Sequence, residues 1–117
     1  MIGLIVRDAR IFVRPGPTDM RKQINGLAMI VEQQMGASPF DPALFLFCNR
    51  ERRILKALYW DRTGFCMWQK RLEKHRFPWP RDVEQARREI DEEKLRLLLG
   101  GVDFWSAHQE LKFSSVG

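Results

Sequence analysis

The residues best suited to chemistry form a basic stretch in the middle of the chain, between positions 50 and 76. Nine of its side chains are cationic and three are acidic, so the stretch carries a net charge of +6. Such a concentration of cations attracts polyanions, and a nucleic acid bound there would release counterions. A solubilising surface has the same composition, and charge alone does not separate the two interpretations. The cationic side chains are Arg50, Arg52, Arg53, Lys56, Arg62, Lys70, Arg71, Lys74 and Arg76.

Six aromatic residues lie within or next to this basic stretch, between positions 59 and 79. Aromatic faces next to cationic groups suit stacking on bases and contact with phosphates in single-stranded or distorted nucleic acid. In a domain this small most such rings build the core, and we expect Tyr59, Phe65 and Trp68 to be structural. The aromatic residues concerned are Tyr59, Trp60, Phe65, Trp68, Phe77 and Trp79.

A second polar cluster, Thr18, Asp19, Arg21 and Lys22, lies at the start of a predicted helix. Backbone N–H groups at a helix N-terminus bind anions, and Arg21 and Lys22 would add charge around a phosphate. The Asp19 carboxylate would already satisfy those N–H groups, so a helix cap with an ion pair between Asp19 and a basic neighbour is the simpler interpretation. Both basic residues are kept among the candidate nucleic-acid contacts.

No pattern in the chain indicates a catalytic or metal site. The aspartates are scattered over predicted turns and caps, no nucleophile or phosphate-loop motif occurs, and His75 and His108 stand alone. Cys48 and Cys66 lie in apolar runs without a CxxC pair, which favours buried reduced thiols over zinc ligands. We therefore expect no catalytic residue, no metal and no cofactor, and a chain that is not an enzyme.

The size of the chain sets further limits. With 117 residues and 13.9 kDa it can build one core, but it is too short for an RNase-H-like nuclease, a P-loop motor or a recombinase core. The net charge is +7 over residues 1–80 and −2 over residues 81–117, so the basic excess is localised. No signal peptide or membrane-spanning run is apparent, and reduced cysteines suit a reducing compartment, so we expect a cytoplasmic protein.

The first third of the chain has the pattern of a strand followed by a long helix. Arg10–Arg14 alternates as a strand and ends at Pro15–Pro17. Apolar residues at helical spacing then predict a helix that is capped at residues 18–19 and runs to Met35, with Gly36 as its stop. This helix would bury one face on the sheet.

The middle of the chain predicts a hairpin and then a helix. Leu44–Cys48 is a continuous apolar run suited to a central strand, and Arg53–Trp60 pairs with it across a polar turn. Both faces of the second strand are largely apolar, with Lys56 as the exception. Helical spacing relates Phe65, Trp68, Gln69 and Leu72, so a helix is preferred there over a third strand.

The last third allows two arrangements. Phe77–Pro80 is an extended segment that cannot be a central strand. Val83–Leu99 could be one charged helix; alternatively, Arg87–Ile90 is extended and Asp91 caps a short helix, which the acidic first turn and Gly100-Gly101 favour.

The whole pattern predicts an α+β fold in which a small, mostly antiparallel sheet packs against one long amphipathic helix, with short additional helices. Residues 1–104 would form a single domain, and residues 105–117 a C-terminal tail.

Several linked motifs, taken in order, resemble the TnpB accessory protein of the IS66 insertion-sequence family. The resemblance covers residues 9 to 104 and concerns the small second-frame product of the element, not the RNA-guided nuclease of the same name. The motifs are Arg14–Lys22 (RPGPTDMRK), Asn25–Leu27 (NGL), Leu44–Phe47 (LFLF), Leu58–Phe65 (LYWDRTGF), Lys70–Lys74 (KRLEK), Phe77–Pro80 (FPWP) and Leu98–Asp103 (LLGGVD).

This resemblance implies a bacterial mobile-element protein that acts beside a separate, larger transposase. It carries over no catalytic residue. In the family a glycine usually follows the Leu-Glu-Lys run as a helix stop, where this chain has His75. A non-glycine residue at that position has to accept a left-handed conformation or end the predicted helix differently.

Charge pattern and resemblance together predict a non-catalytic accessory protein for the transposition of an insertion sequence. It would bind element DNA, the transposase of the same element, or both, through a basic surface. The alternative is a protein-only adaptor or assembly factor for the transposase without DNA contact. A homo-oligomer is left open, and no membrane is expected as a partner. The predicted nucleic-acid contacts are Arg21, Lys22, Arg50, Arg52, Arg53, Arg62, Lys70, Arg71, Lys74 and Arg76.

Overall fold

A five-stranded mixed sheet, ordered β4-β3-β2-β1-β5, forms the middle of the fold. The computed structural model describes residues 9–105. β1 and β2 are parallel, and the other three pairings are antiparallel. The elements in chain order are β1 (Arg10–Val13), α1 (Ile24–Gln33), β2 (Ala43–Cys48), β3 (Ile54–Asp61), β4 (Gly64–Arg71), β5 (Arg88–Ile90) and α2 (Glu92–Leu99).

The central strand β2 is buried on both faces, as its continuous apolar run predicts. One face, with Phe45 and Phe47, packs under α1. The opposite face, with Leu44 and Leu46, packs against α2 and the Phe77–Pro80 segment. The sheet is therefore the middle of three layers, and its two faces belong to two separate apolar clusters.

The prediction of one long amphipathic helix is wrong. α1 spans Ile24–Gln33 and starts well after the expected cap at residues 18–19. The segment before it is held by Lys56, whose Nζ donates hydrogen bonds to the backbone oxygens of Met20 (2.7 Å) and Lys22 (3.0 Å). In a helix starting at the expected cap, the Met20 oxygen would accept from the next turn of the same helix. The buried Lys56 side chain from the sheet therefore satisfies backbone oxygens that hydrogen bonds within the expected first turns would have satisfied.

The prediction of a helix after residue 64 is also wrong, because Gly64–Arg71 forms β4. This strand pairs along the whole of β3, from the Ile54–Arg71 pair to the Asp61–Gly64 pair. Phe65 and Met67 pack on the α1 side of the sheet and Trp68 on the other, which is the alternation of a strand. A helix here would leave the backbone polar groups on this edge of β3 without partners.

Of the two arrangements predicted for residues 83–99, the extended segment with a short capped helix is confirmed. β5 pairs antiparallel with β1, and the Asp91 side chain accepts a hydrogen bond from the N–H of Lys94 (2.8 Å). Phe77–Pro80 is buried, and it is not a strand of the sheet. His75, which stands where the family usually has glycine, does not adopt a left-handed conformation.

The predicted tail falls almost wholly outside the described residues. Residues 106–117 are not described, and Trp105, the last described residue, packs against the core cluster on the α2 side. Its Nε1–H donates to the Pro78 oxygen at 2.8 Å. The packed part of the protein therefore extends at least to Trp105.

Gly16 is a position where the fold requires glycine. Its φ is +80°, and a Cβ there would lie 2.6 Å from Cγ1 of Val83. We expect Gly16→Ala to lower the free energy of unfolding by about 2 kcal/mol, because the left-handed conformation costs a residue with a Cβ roughly 1–2 kcal/mol and Val83 must also move. Gly64→Ala is the control, since a Cβ at Gly64 meets no atom within 4 Å. Thermal unfolding of both variants measures the difference, and equal losses would contradict this explanation.

Candidate nucleic-acid interface

One end of the sheet collects a large group of basic residues because all five strands meet there. β1 and β2 are parallel and finish at this end, while β3 starts there and β4, antiparallel to β3, finishes there. β5 starts there, since Arg88 is opposite Val13 at the end of β1. We call this region the basic end. It carries Arg50, Arg52, Arg53, Arg71, Lys74, Arg76, Arg81 and Arg88.

The loop between β2 and β3 is built around Asn49. Its side-chain oxygen accepts hydrogen bonds from the N–H groups of Arg53 (2.8 Å) and Ile54 (3.1 Å). Its backbone oxygen accepts from Arg52 N–H at 3.0 Å. Arg52 is thereby held at φ 61°, a left-handed conformation that costs a non-glycine residue about 1 kcal/mol or more. These hydrogen bonds hold the loop in one conformation, and Arg50 is exposed on it.

The segment after β4 folds back onto this loop. Leu72 N–H donates to the Arg53 oxygen (2.8 Å), and Phe77 N–H donates to the Arg52 oxygen (2.7 Å). Nη1 of Arg53 in turn donates to the backbone oxygen of Glu73 at 3.1 Å. These contacts bring two stretches of basic sequence together. The exposed cations placed beside the loop are Arg71, Lys74 and Arg76.

Several predicted contacts lie elsewhere or are already engaged, and one of them is Arg71, whose Nε lies 3.9 Å from Oε2 of Glu73. Nζ of Lys70 donates to the backbone oxygen of Leu99 (2.9 Å), so this ammonium group caps the end of α2. Arg62 lies in the two-residue turn between β3 and β4, at the opposite end of the hairpin. Since β3 has eight residues, the two ends are roughly 25 Å apart at about 3.4 Å per residue.

Arg21 and Lys22 lie in the segment before α1 and not at a helix N-terminus. The Arg21 guanidinium contacts both oxygens of Asp19 at 2.8–3.1 Å and lowers the pKa of that carboxyl to about 2. The predicted ion pair is therefore present. The predicted cap is not, because the N-cap of α1 is Gln23, which makes no side-chain cap hydrogen bond.

Three cations at or near the basic end were not among the predicted nucleic-acid contacts: Arg81, Arg88 and Lys94. They line depressions that adjoin one another across this part of the surface. A depression of about 350 Å³ is lined by Arg50, Arg52 and Arg81. A neighbouring one of about 590 Å³ shares Arg52 and Arg81 and adds Arg88 and Lys94. All three cations belong to the part of the chain whose net charge is negative, so no local signal in the sequence indicated them.

The aromatic rings between positions 59 and 79 are largely separated from the exposed arginines. Rings outside that stretch do contact arginines: Arg10 and Arg87 lie over Phe12 and Arg88 lies over Trp105, with guanidinium carbons 4.9–5.2 Å from the ring centroids. Phe77 is fully buried, and Trp79 is 6% exposed, so only a small part of the Trp79 ring reaches the surface and neither ring can stack on a base. Trp60, Phe65 and the exposed Phe40 pack together at the far end of the hairpin, with ring centroids 4.9–5.2 Å apart. The rings expected to be structural are partly buried against the core clusters: Tyr59, Phe65 and Trp68.

The thiols and other metal-ligand residues form no cluster within residues 9–105 that could hold a metal ion. Cys48 and Cys66 are free; Cys48 is buried, and burial raises the pKa of its thiol to about 12, whereas Cys66 is only half-buried. His108 lies outside the described residues. Neither helix in the described part of the chain is long and apolar enough to cross a membrane.

Comparison with known proteins identifies the family. The chain is 36% identical over 111 residues to the uncharacterized protein y4hO of Sinorhizobium fredii (strain NBRC 101917 / NGR234), covering 95% of this chain and 96% of that protein. It is 32% identical over 98 residues to y4jC of the same strain, covering 84% and 83%. No solved structure matches significantly. The family model TnpB_IS66, described as IS66 Orf2-like protein, matches residues 9–109. The chain therefore belongs to the IS66 Orf2-like family, whose members are associated with insertion sequences and their transposition.

Proposed function

We propose that the chain is a non-catalytic accessory protein of insertion-sequence transposition that holds element DNA through the basic end. In this proposal strand cleavage and joining belong to the separate transposase. The protein supplies an electrostatic surface that positions DNA for that enzyme. Contacts of this kind fix the register of a protein on DNA and carry no sequence information by themselves.

The observation that carries the proposal is the absence of internal side-chain partners for two arginines of the β2–β3 loop, Arg50 and Arg52. Within the described part of the chain, the side chains of Arg50 and Arg52 make no ion pair and no hydrogen bond, whereas Arg10 and Arg21 are each paired with a carboxylate. A guanidinium group presents a planar fork of donors that suits phosphate, and it keeps its charge at any physiological pH. A rigid loop with unpaired arginines is thus suited to contact a phosphate backbone.

The test of the proposal is the salt dependence of DNA binding. If four or five phosphates are neutralised, log affinity should fall against log salt concentration with a slope of about −4. Fluorescence anisotropy of a labelled element-end duplex across a salt series measures the slope. A gel-shift assay with and without the transposase shows whether DNA contact is direct.

A slope near zero, or no mobility shift of element ends, would refute DNA binding by this chain. Co-purification with the transposase that survives nuclease treatment would then support a protein-only adaptor. One observation favours that second function. Phe40 is 57% exposed beside Trp60 and Phe65, at the end of the sheet opposite the arginines. An exposed aromatic cluster of this kind is typical of protein contact surfaces.

A further inference from the structure

We propose that the depression framed by Arg50, Arg52 and Arg81, here called the arginine pocket, receives one sugar-phosphate unit of a bound DNA strand. This inference rests on the proposed function and deepens it. It names a site within the basic end and the chemical group that the site takes, and it gives Arg81 a role that neither the sequence pattern nor the family assigns.

The charge of the lining distinguishes this depression from the two that adjoin it. The arginine pocket contains three arginines and no carboxylate. The depression of about 590 Å³ beside it is lined by Asp82, Glu89 and Asp103 as well as by cations. The third, of about 620 Å³, includes Asp19 and Glu51. An anion is therefore favoured most strongly in the arginine pocket, because no acidic side chain forms part of its lining.

The floor of the pocket is apolar and rigid. Trp79 is 6% exposed, and its indole Nε1–H donates to the backbone oxygens of Arg14 (2.8 Å) and Gly16 (3.1 Å). Gly16 N–H donates to the Pro80 oxygen at 2.9 Å, which ties the two walls together. Pro17 and the side chain of Trp79 complete the apolar surface. A fixed floor means that the arginines are presented on a preformed site, which lowers the entropic cost of binding.

The dimensions suit a sugar-phosphate unit better than a lone anion. A volume of about 350 Å³ lies within the range of small-molecule pockets and exceeds what one phosphate group fills. The phosphate would lie among the guanidinium groups at the rim, and the deoxyribose against the proline and tryptophan surface. Arg52 reaches the rim from a left-handed backbone position, where glycine would be less strained. Strain retained at such a position is typical of binding sites.

The decisive variant is Arg81→Gln, measured against Arg96→Gln. Both arginines are exposed, neither side chain has a hydrogen bond or ion pair among residues 9–105, and each exchange removes one charge. Arg96 lies on α2, away from the pocket. We expect Arg81→Gln to reduce the salt slope by about 1 and the affinity for a short element-end duplex by about eightfold at about 0.1 M salt. Arg96→Gln should leave both nearly unchanged, and both variants should keep the wild-type Tm.

A second measurement reports on the pocket directly. The Trp79 side chain forms part of the floor, and its indole N–H, bonded to the Arg14 and Gly16 oxygens, gives a separate NMR resonance that Trp79→Phe assigns. Addition of the duplex should shift this resonance in the wild type and much less in Arg81→Gln. Inorganic phosphate is the comparison probe. If phosphate saturates the shift while the duplex causes none, the pocket takes a free anion and the DNA assignment is wrong.

The outcomes separate this inference from the proposed function. Wild-type binding with a slope of about −4 that is unchanged in Arg81→Gln would refute the arginine pocket and leave DNA binding by the basic end intact. Equal losses in Arg81→Gln and Arg96→Gln would also refute it, because a general charge effect would then explain the result. Absence of salt-dependent DNA binding in the wild type would overturn both.

Discussion

Exchange of Arg50 and Arg52 together for glutamine is expected to weaken DNA binding on the order of 50-fold at about 0.1 M salt and to reduce the salt slope by about 2. Each phosphate contact contributes about 0.9 to the magnitude of the slope of log affinity against log salt concentration, so the loss of two contacts makes this slope shallower by nearly 2. The weakening should be uniform across DNA sequences, because backbone contacts do not read bases. Anisotropy titrations over a salt series, with element-end and unrelated duplexes, measure both effects.

The matched control is the double variant Arg62→Gln/Arg96→Gln. It removes the same charge. Like the Arg50/Arg52 variant, it replaces one arginine in a left-handed backbone conformation, because Arg62 has a φ of 48°. Arg62 is at the opposite end of the hairpin and Arg96 is on α2. The control should therefore keep most of the wild-type affinity and slope. Equal weakening in the two double variants would show that net charge, and not the basic end, determines binding.

Lys56→Met is expected to lower the free energy of unfolding by about 3 kcal/mol, which corresponds to a Tm decrease of more than about 10 °C in a domain of this size. Lys56 is 4% exposed, and its ammonium group donates to the backbone oxygens of Met20 and Lys22. Methionine fills nearly the same volume but donates nothing, so both oxygens lose charge-assisted hydrogen bonds. Thermal and urea unfolding measure the loss.

Lys70→Met provides a graded comparison. Lys70 is partly buried and donates one hydrogen bond to Leu99, so its replacement should cost about 1 kcal/mol. Hydrogen exchange adds a local readout. In Lys56→Met the N–H groups of Thr18 and Lys22, which are hydrogen-bonded in the native protein, should exchange faster than amides of β2. A Lys56→Met protein as stable as Lys70→Met would show that the Lys56 contacts do not hold the segment before α1.

The elements that could be predicted from sequence are those whose signals are local. The apolar run of β2 is buried on both faces, and the polar turn after it connects to β3 as expected. The Asp91 cap with two glutamates in the first turn marks α2 correctly. In each case residues adjacent in the chain decide the conformation. Propensity, capping and alternation are then sufficient evidence.

The elements predicted wrongly depend on partners distant in sequence. The start of α1 is determined by Lys56, which is 34 and 36 positions from the oxygens that it contacts. β4 is a strand because β3 presents an unpaired edge along its whole length. Apolar residues at positions 65, 68 and 72 fit helical spacing, although Leu72 lies beyond the end of the strand, so periodicity favoured the wrong alternative. Tertiary hydrogen bonding outweighed the local preference in both segments.

The sequence by itself determined the family, the localised positive charge, the buried central strand and the capped second helix, because motif order, charge and local periodicity are properties of neighbouring residues. Only the tertiary structure decided which cations share a surface. It leaves Arg62 roughly 25 Å from the β2–β3 loop, uses Lys70 as a helix cap and brings Arg81 beside Arg50 and Arg52. The physical reason is that strand pairing and the packing of Trp79 against the backbone, and not distance along the chain, set the positions of charged groups in space.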